Sequence, residues 1–95
     1  VNNISELPKE YSLSQNYPNP FNPSTKISYS IPKDSKVKLV IYDALGRIVN
    51  TLVDEYKVAG NYDVKFEAGN LPSGIYYYKL TTLNYSNTKK MLLLK

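Results

Sequence analysis

The chain of 95 residues carries eight acidic side chains and neither histidine nor cysteine. Any chemistry must therefore rest on carboxylates, hydroxyls and amines, without the usual general base or a thiolate ligand. Asp34, Asp43, Asp54, Glu55, Asp63 and Glu67 are the candidates, and their settings are poor. All six fall at turn positions or on the polar side of an alternating run, where carboxylates stay solvated. Asp54-Glu55 is the one adjacent acidic pair, and it lacks the clustered oxygen ligands of a Ca²⁺ loop. A solvated turn is the expected setting there. No Gly-x-Ser-x-Gly elbow activates a serine, and the four glycines lie far apart, each at a turn, so no phosphate-cradling loop forms. No catalysis, no metal and no cofactor are expected.

The elements that position these residues are strands. Residues 25–31 place Ile27, Tyr29 and Ile31 on one side and Lys26, Ser28 and Ser30 on the other, the period of a half-buried strand. In residues 37–43, Val37, Leu39 and Ile41 share one face while Val40 and Tyr42 share the other, which predicts a central strand covered on both sides. Asp43-Ala44-Leu45-Gly46 predicts a type I turn closed by a glycine bulge, joining residues 37–43 and 47–53 in a hairpin. Residues 57–61 form the next reversal. Residues 61–67 then alternate, with Tyr62, Val64 and Phe66 inward. A longer crossing loop, residues 68–74, precedes a β-branched and aromatic strand over 75–83. Residues 84–87 turn the chain into a last strand over 88–94. Six short strands with turn signals between them and no helix predict an all-β, immunoglobulin-like antiparallel β-sandwich of about seven strands, with a small barrel as the other architecture.

Two local patterns sharpen that expectation. Tyr17-Pro18-Asn19-Pro20-Phe21-Asn22-Pro23 has three prolines that fix φ and remove N–H donors, so it predicts an extended strip anchored by Phe21. Such a strip adds a seventh strand only at an edge. Leu71-Pro72-Ser73-Gly74-Ile75-Tyr76 has the spacing of a tyrosine corner, in which a buried ring donates its hydroxyl to a loop carbonyl. Tyr76 and Tyr78 share a face with Leu80. Tyr77 falls on the other, either as an exposed platform or as cover for a neighbouring strand.

Composition narrows the partners. Apolar residues make up 42% of the chain and twelve residues are aromatic, enough for one folded domain and too many for a disordered one. The net charge of +4 is spread along strands, with lysine clusters at 33, 36 and 38 and at 89, 90 and 95. One arginine and no groove-reading helix argue against nucleic acid. No apolar run reaches the ~20 residues of a membrane span. Residues 1–6 lack a basic region followed by an apolar one, and the absence of an initiator Met predicts a piece of a longer chain.

Residues 13–25 (Leu13-Ser14-Gln15-Asn16 running into the proline strip and Ser24-Thr25), Ile41-Tyr42-Asp43 with Leu45-Gly46-Arg47, Leu71 to Tyr76, and Lys90-Met91 to Lys95, in that order, resemble the type IX secretion system C-terminal sorting domain of type A. The resemblance covers about residues 13–95 and implies an immunoglobulin-like fold. It implies a delivery address: residues 1–12 lead in from an upstream passenger, and residues 13–95 are read by an outer-membrane translocon of a Gram-negative bacterium. A cell-surface sortase commonly removes such a domain, so the cargo passes through the periplasm to the cell surface or medium. Asn2, Asn3, Ser5 and Pro8 mark the polar linker where cleavage is expected. Gly74, Tyr76, Lys90, Met91 and Lys95 are the residues the resemblance points to for recognition, and Lys89 joins them as a cation of the last strand. That strand is expected at or near a sheet edge, open to a receptor's backbone or charges, and edge strands bring the prospect of self-association. Two other functions fit a sandwich: carbohydrate binding through a row of exposed tyrosines, or a structural spacer.

Overall fold

Alternation of apolar with polar or charged side chains builds the strands over residues 24–31 and 60–67, whereas those over 35–42 and 74–81 are apolar or aromatic on both faces. The computed structural model describes residues 7–95. Its strands are β1 (Ser12–Leu13), β2 (Ser24–Ile31), β3 (Ser35–Tyr42), β4 (Ile48–Lys57), β5 (Gly60–Glu67), β6 (Gly74–Thr81) and β7 (Ser86–Leu93). They form two antiparallel sheets, one ordered β1-β2-β5 and the other β4-β3-β6-β7. The sheets stay separate, so the architecture is the β-sandwich and not a closed barrel.

The inward faces supply the core. Ile27, Tyr29 and Ile31 of β2 and Phe66 of β5 meet Val37, Leu39 and Ile41 of β3, Tyr76, Tyr78 and Leu80 of β6, and Met91 and Leu93 of β7, all buried. Each large apolar side chain removed from water contributes about 1.5–3 kcal/mol. Phe21, the anchor expected of the proline strip, is 2% exposed and its ring lies 6.0 Å from that of Phe66.

Several elements differ from the sequence expectation, each for a physical reason. β4 continues to Lys57, because β3 pairs with it along its whole length, from Tyr42 opposite Ile48 to Ser35 opposite Lys57. Asp54 and Glu55 therefore sit within a strand and not in a turn. They diverge: Asp54 pairs with Lys36 at 3.3 Å and Glu55 with Lys57 at 2.8 Å. The reversal at residues 57–61 carries the chain from one sheet to the other, with Asp34 Oδ1 accepting the Ala59 N–H at 2.8 Å. β3 is central between β4 and β6, but only one of its faces is covered by the second sheet. On its outward face Lys36 and Lys38 are exposed, and Val40 is buried between its register neighbours Thr51 and Lys79. The seventh strand is β1, upstream of the proline strip. The strip itself makes only isolated bridges, Tyr17 to Lys26 and Phe21 to Leu93.

Candidate recognition surface

Proline-rich segments cannot supply a continuous ladder, and here the few N–H groups that remain are spent on both sheets. Tyr17 and Lys26 of β2 exchange two backbone hydrogen bonds of 3.0 and 2.9 Å. Four residues later Phe21 N–H donates to Leu92 O at 3.0 Å, and Leu94 N–H donates to Phe21 O at 3.1 Å. Residues 14–23 thus form a strap from β2 to β7 that closes one flank of the sandwich. Side chains extend it: Asn19 Oδ1 accepts the Leu92 N–H at 3.0 Å, and Gln15 Nε2 donates to Lys90 O at 2.7 Å.

A buried polar network holds the strap down. Tyr78, fully buried, donates its hydroxyl to Ser14 O at 2.6 Å and accepts the Asn16 N–H at 2.8 Å. Asn16, 2% exposed, donates through Nδ2 to Thr25 Oγ1 at 3.0 Å and to Pro18 O at 3.1 Å. Thr25 Oγ1 in turn donates to Pro18 O at 2.8 Å. Burial pushes the Tyr78 hydroxyl up to about 12, against the opposing pull of the Asn16 N–H. Sequence reasoning placed Asn16 and Thr25 in a motif without giving them a role. The signal was the presence of two small polar residues flanking a stretch that cannot bond to itself.

The corner closes next to the strap. Tyr76 Oη donates to Pro72 O at 2.7 Å, as the Leu71–Tyr76 spacing predicts. Burial raises this hydroxyl above its ordinary value, with Asp43 adding to the rise. Gly74 sits at φ +150°, a conformation that an L side chain rarely adopts, with open space where a Cβ would be. Beyond β7, Lys95 N–H donates to Ser73 Oγ at 2.9 Å and Lys95 Nζ to Gly69 O at 2.8 Å. On the corner's other side, a groove of about 380 Å³ separates it from the β3–β4 turn. That turn is built as its sequence predicts. Gly46 N–H reaches Asp43 O at 3.0 Å, Gly46 has φ +85°, and Asp43 Oδ1 accepts the Leu45 and Arg47 N–H groups at 2.9 Å. The Arg47 N–H foremost, then the Arg47 guanidinium and the Leu45 N–H, hold the Asp43 carboxyl below the usual carboxylate range.

Strap, turn, corner and tail, four segments far apart in sequence, therefore converge on one end of the sandwich. A family described as the secretion system C-terminal sorting domain matches residues 15–94. The chain belongs to this family. Membership makes the domain a sorting signal for type IX secretion and its parent a secreted or cell-surface protein that interacts with that secretion system. No curated protein matches the chain.

The residues the sorting-domain resemblance singles out take different places. Met91 is buried with Leu93 in the core. Gly74 and Tyr76 build the corner. Lys90 is exposed, its register partner being Tyr77 on β6, and Lys89 is half-buried opposite Tyr78. Lys95 is exposed but engaged with the corner loop. Pro8 is half-buried, while Asn2, Asn3 and Ser5 lie outside the described residues. β7 is an edge strand, as expected, yet the edge is not wholly open. From the Lys90 carbonyl to Leu94 its outward backbone groups are taken by Gln15, Asn19 and Phe21. The exposed tyrosines form no row: Tyr17 lies on the strap and Tyr56 on β4, so the arrangement a carbohydrate platform needs is missing among the described residues.

Proposed function

We propose that residues 13–95 are the address by which an upstream passenger is delivered to the outer-membrane translocon of the type IX system, with residues 1–12 the lead-in that a sortase cuts. The cargo then crosses the periplasm to the cell surface or the medium. The observation that carries this reading is the convergence of all four family segments at one end of the sandwich: main-chain hydrogen bonds join strap to tail, Lys95 joins tail to corner, and the β3–β4 turn faces the corner across the groove. A receptor meeting that end encounters a single shaped surface and not four separate motifs. Gly74, Tyr76 and Met91 act in recognition by holding this shape, whereas Lys89, Lys90 and Lys95 present charge.

The test fuses residues 1–95 behind a periplasm-directed fluorescent protein in a host with the translocon. Fluorescence at the surface or in the medium, lost in a translocon mutant, is the expected result. Equal export with and without the translocon would refute the proposal. Deleting residues 90–95 is the wrong probe, since it removes Met91 and Leu93 from the core and four hydrogen bonds that anchor the strap. Lys90→Glu, on an exposed side chain, tests charge without unfolding the domain.

A further inference from the structure

The two outward faces of the sandwich differ in charge. On the three-stranded sheet, β2 and β5 present Lys26 and Lys65 beside Asp63 and Glu67, a neutral set that pairs with itself. Lys26 reaches Asp63 at 3.7 Å and Lys65 reaches Glu67 at 2.9 Å. The four-stranded sheet presents Lys36, Lys38, Lys79 and Lys90 against Asp54 alone, a net +3 on one face of a chain whose total is +4. Lys36 pairs with Asp54, and Lys38, Lys79 and Lys90 have no ionic partner among the described residues.

The same face carries an apolar band at the end next to the β3–β4 turn and the corner. Register places Ile48, Tyr42, Tyr77 and the stem of Lys90 in one row across all four strands, with Ile75 and Leu92 paired in the next. Ile48 is 64% exposed, and Tyr42, Tyr77, Ile75 and Leu92 are half-buried. The lysines flank this band on one side, with Lys90 at its β7 end, and an apolar patch bordered by polar and charged groups suits a protein–protein interface. A membrane surface is a poorer match: among the described residues no amphipathic helix projects from this face to enter the acyl region.

We infer that the outward face of the four-stranded sheet docks an acidic protein surface, and that this contact, through Lys38, Lys79 and Lys90 beside Tyr42 and Tyr77, is how the export machinery recognises the folded domain. This rests on the sorting function proposed above and assigns its partner chemistry. Charges at the rim of such a contact act mainly on association rate and on rejection of wrong partners, since like charges brought together are strongly unfavourable.

The test compares three variants of the fluorescent fusion: K38E/K79E/K90E, K38R/K79R/K90R, and K26E/K65E on the other face. All positions lie on outward faces, Lys79 half-buried and the others exposed, and urea unfolding checks that each variant is folded. Surface fluorescence is expected to fall more than about tenfold in K38E/K79E/K90E. The arginine variant should keep export, and K26E/K65E should change it less than about twofold. Export of K38E/K79E/K90E at the wild-type level, with the wild-type fusion translocon-dependent, overturns the inference and leaves the sorting function standing. A wild-type fusion that is not exported by the translocon overturns both. Binding of the wild-type domain to phosphatidylglycerol vesicles, lost in K38E/K79E/K90E, would make the partner a lipid and overturn the assignment to a protein.

Discussion

The two flanks of the sandwich are closed by opposite means. On one flank the strap ties β2 to β7 through backbone bonds and the Asn16–Thr25–Tyr78 network. On the other, β4 and β5 run as edges with no strap. There β4 is broken by two register shifts, which leave Val49 and Leu52 leaning toward the core. Bulges of this kind blunt an edge against strand addition. Lys57 lies 5.1 Å from the centre of the Tyr62 ring and is bonded to Glu55, which puts charge at the mouth of that flank. One flank thus buries polar groups and satisfies them, while the other keeps its charges in water. Tethering by buried hydrogen bonds fixes a single geometry, and that geometry positions the tail. Charge at an open edge only discourages unwanted pairing. The strapped flank should therefore be far more sensitive to mutation.

The largest effect is expected at Phe21. Phe21→Ala removes the ring that packs on Phe66 and leaves a cavity under the strap, a loss of about 3–5 kcal/mol. Urea unfolding measures it. Because a domain of this size has about 5–15 kcal/mol in total, the variant approaches the limit of folding. A loss below about 1 kcal/mol would mean that the strap is not anchored by this side chain.

Tyr78 and Tyr29 allow a sharper test, because they are the same residue type, both buried, with hydroxyls pushed up to about 12 chiefly by burial. Tyr78 makes two hydrogen bonds at the strap, whereas the Tyr29 hydroxyl has no partner among the described residues. Tyr78→Phe strands the Asn16 N–H and the Ser14 carbonyl in a buried site and should cost about 2–3 kcal/mol. Tyr29→Phe removes a polar atom that already lacks a partner, so it should leave stability at neutral pH unchanged or slightly improved.

Alkaline pH acts on both tyrosines with one sign. A raised folded pKa means the neutral form is favoured in the native state. That contribution is complete below the unfolded value near 10 and disappears as pH climbs to about 12. Each tyrosine accounts for about 2–3 kcal/mol over that window. Tyr78→Phe and Tyr29→Phe should each flatten the pH dependence of the urea midpoint between pH 10 and 12 in part and by similar amounts, with the raised Tyr76 hydroxyl carrying some of the remainder. A single variant that abolishes the whole dependence would show that only one of the two titrates with folding.

Much of this architecture was legible in the sequence because it depends on local rules. Alternation gave β2 and β5, aspartate and glycine spacing gave the β3–β4 turn, and the leucine–glycine–tyrosine spacing gave the Tyr76 corner. What escaped depends on distant partners. Nothing local distinguishes a reversal within a sheet from the crossing between β4 and β5. Asp54 and Glu55 resembled a turn because pairing with β3, and not their own propensity, holds them in a strand. The proline strip announced its lack of a ladder but not its destination, since the groups that receive it, Leu92 O and Tyr78 Oη, lie more than sixty residues away. Of the proposed docking face, Lys90 was identifiable from the tail motif. Lys38 and Lys79 become its neighbours only through the register of β3, β6 and β7.

The smallest expected effect lies on the open flank. Lys57→Ala removes the Glu55 pair and the cation near Tyr62, contacts at a water-exposed edge where such interactions contribute about 0.5–1 kcal/mol. Salt screens them further. The variant should therefore differ from wild type by less than about 1 kcal/mol in dilute buffer and become indistinguishable at about 1 M NaCl. Tyr78→Phe should keep its full loss at the same salt concentration, because its hydrogen bonds are buried and uncharged. If both losses faded with salt, the strapped flank would be held by long-range charge and not by the bonds between Ser14, Asn16 and Tyr78. The contrast between the flanks would then be one of degree alone.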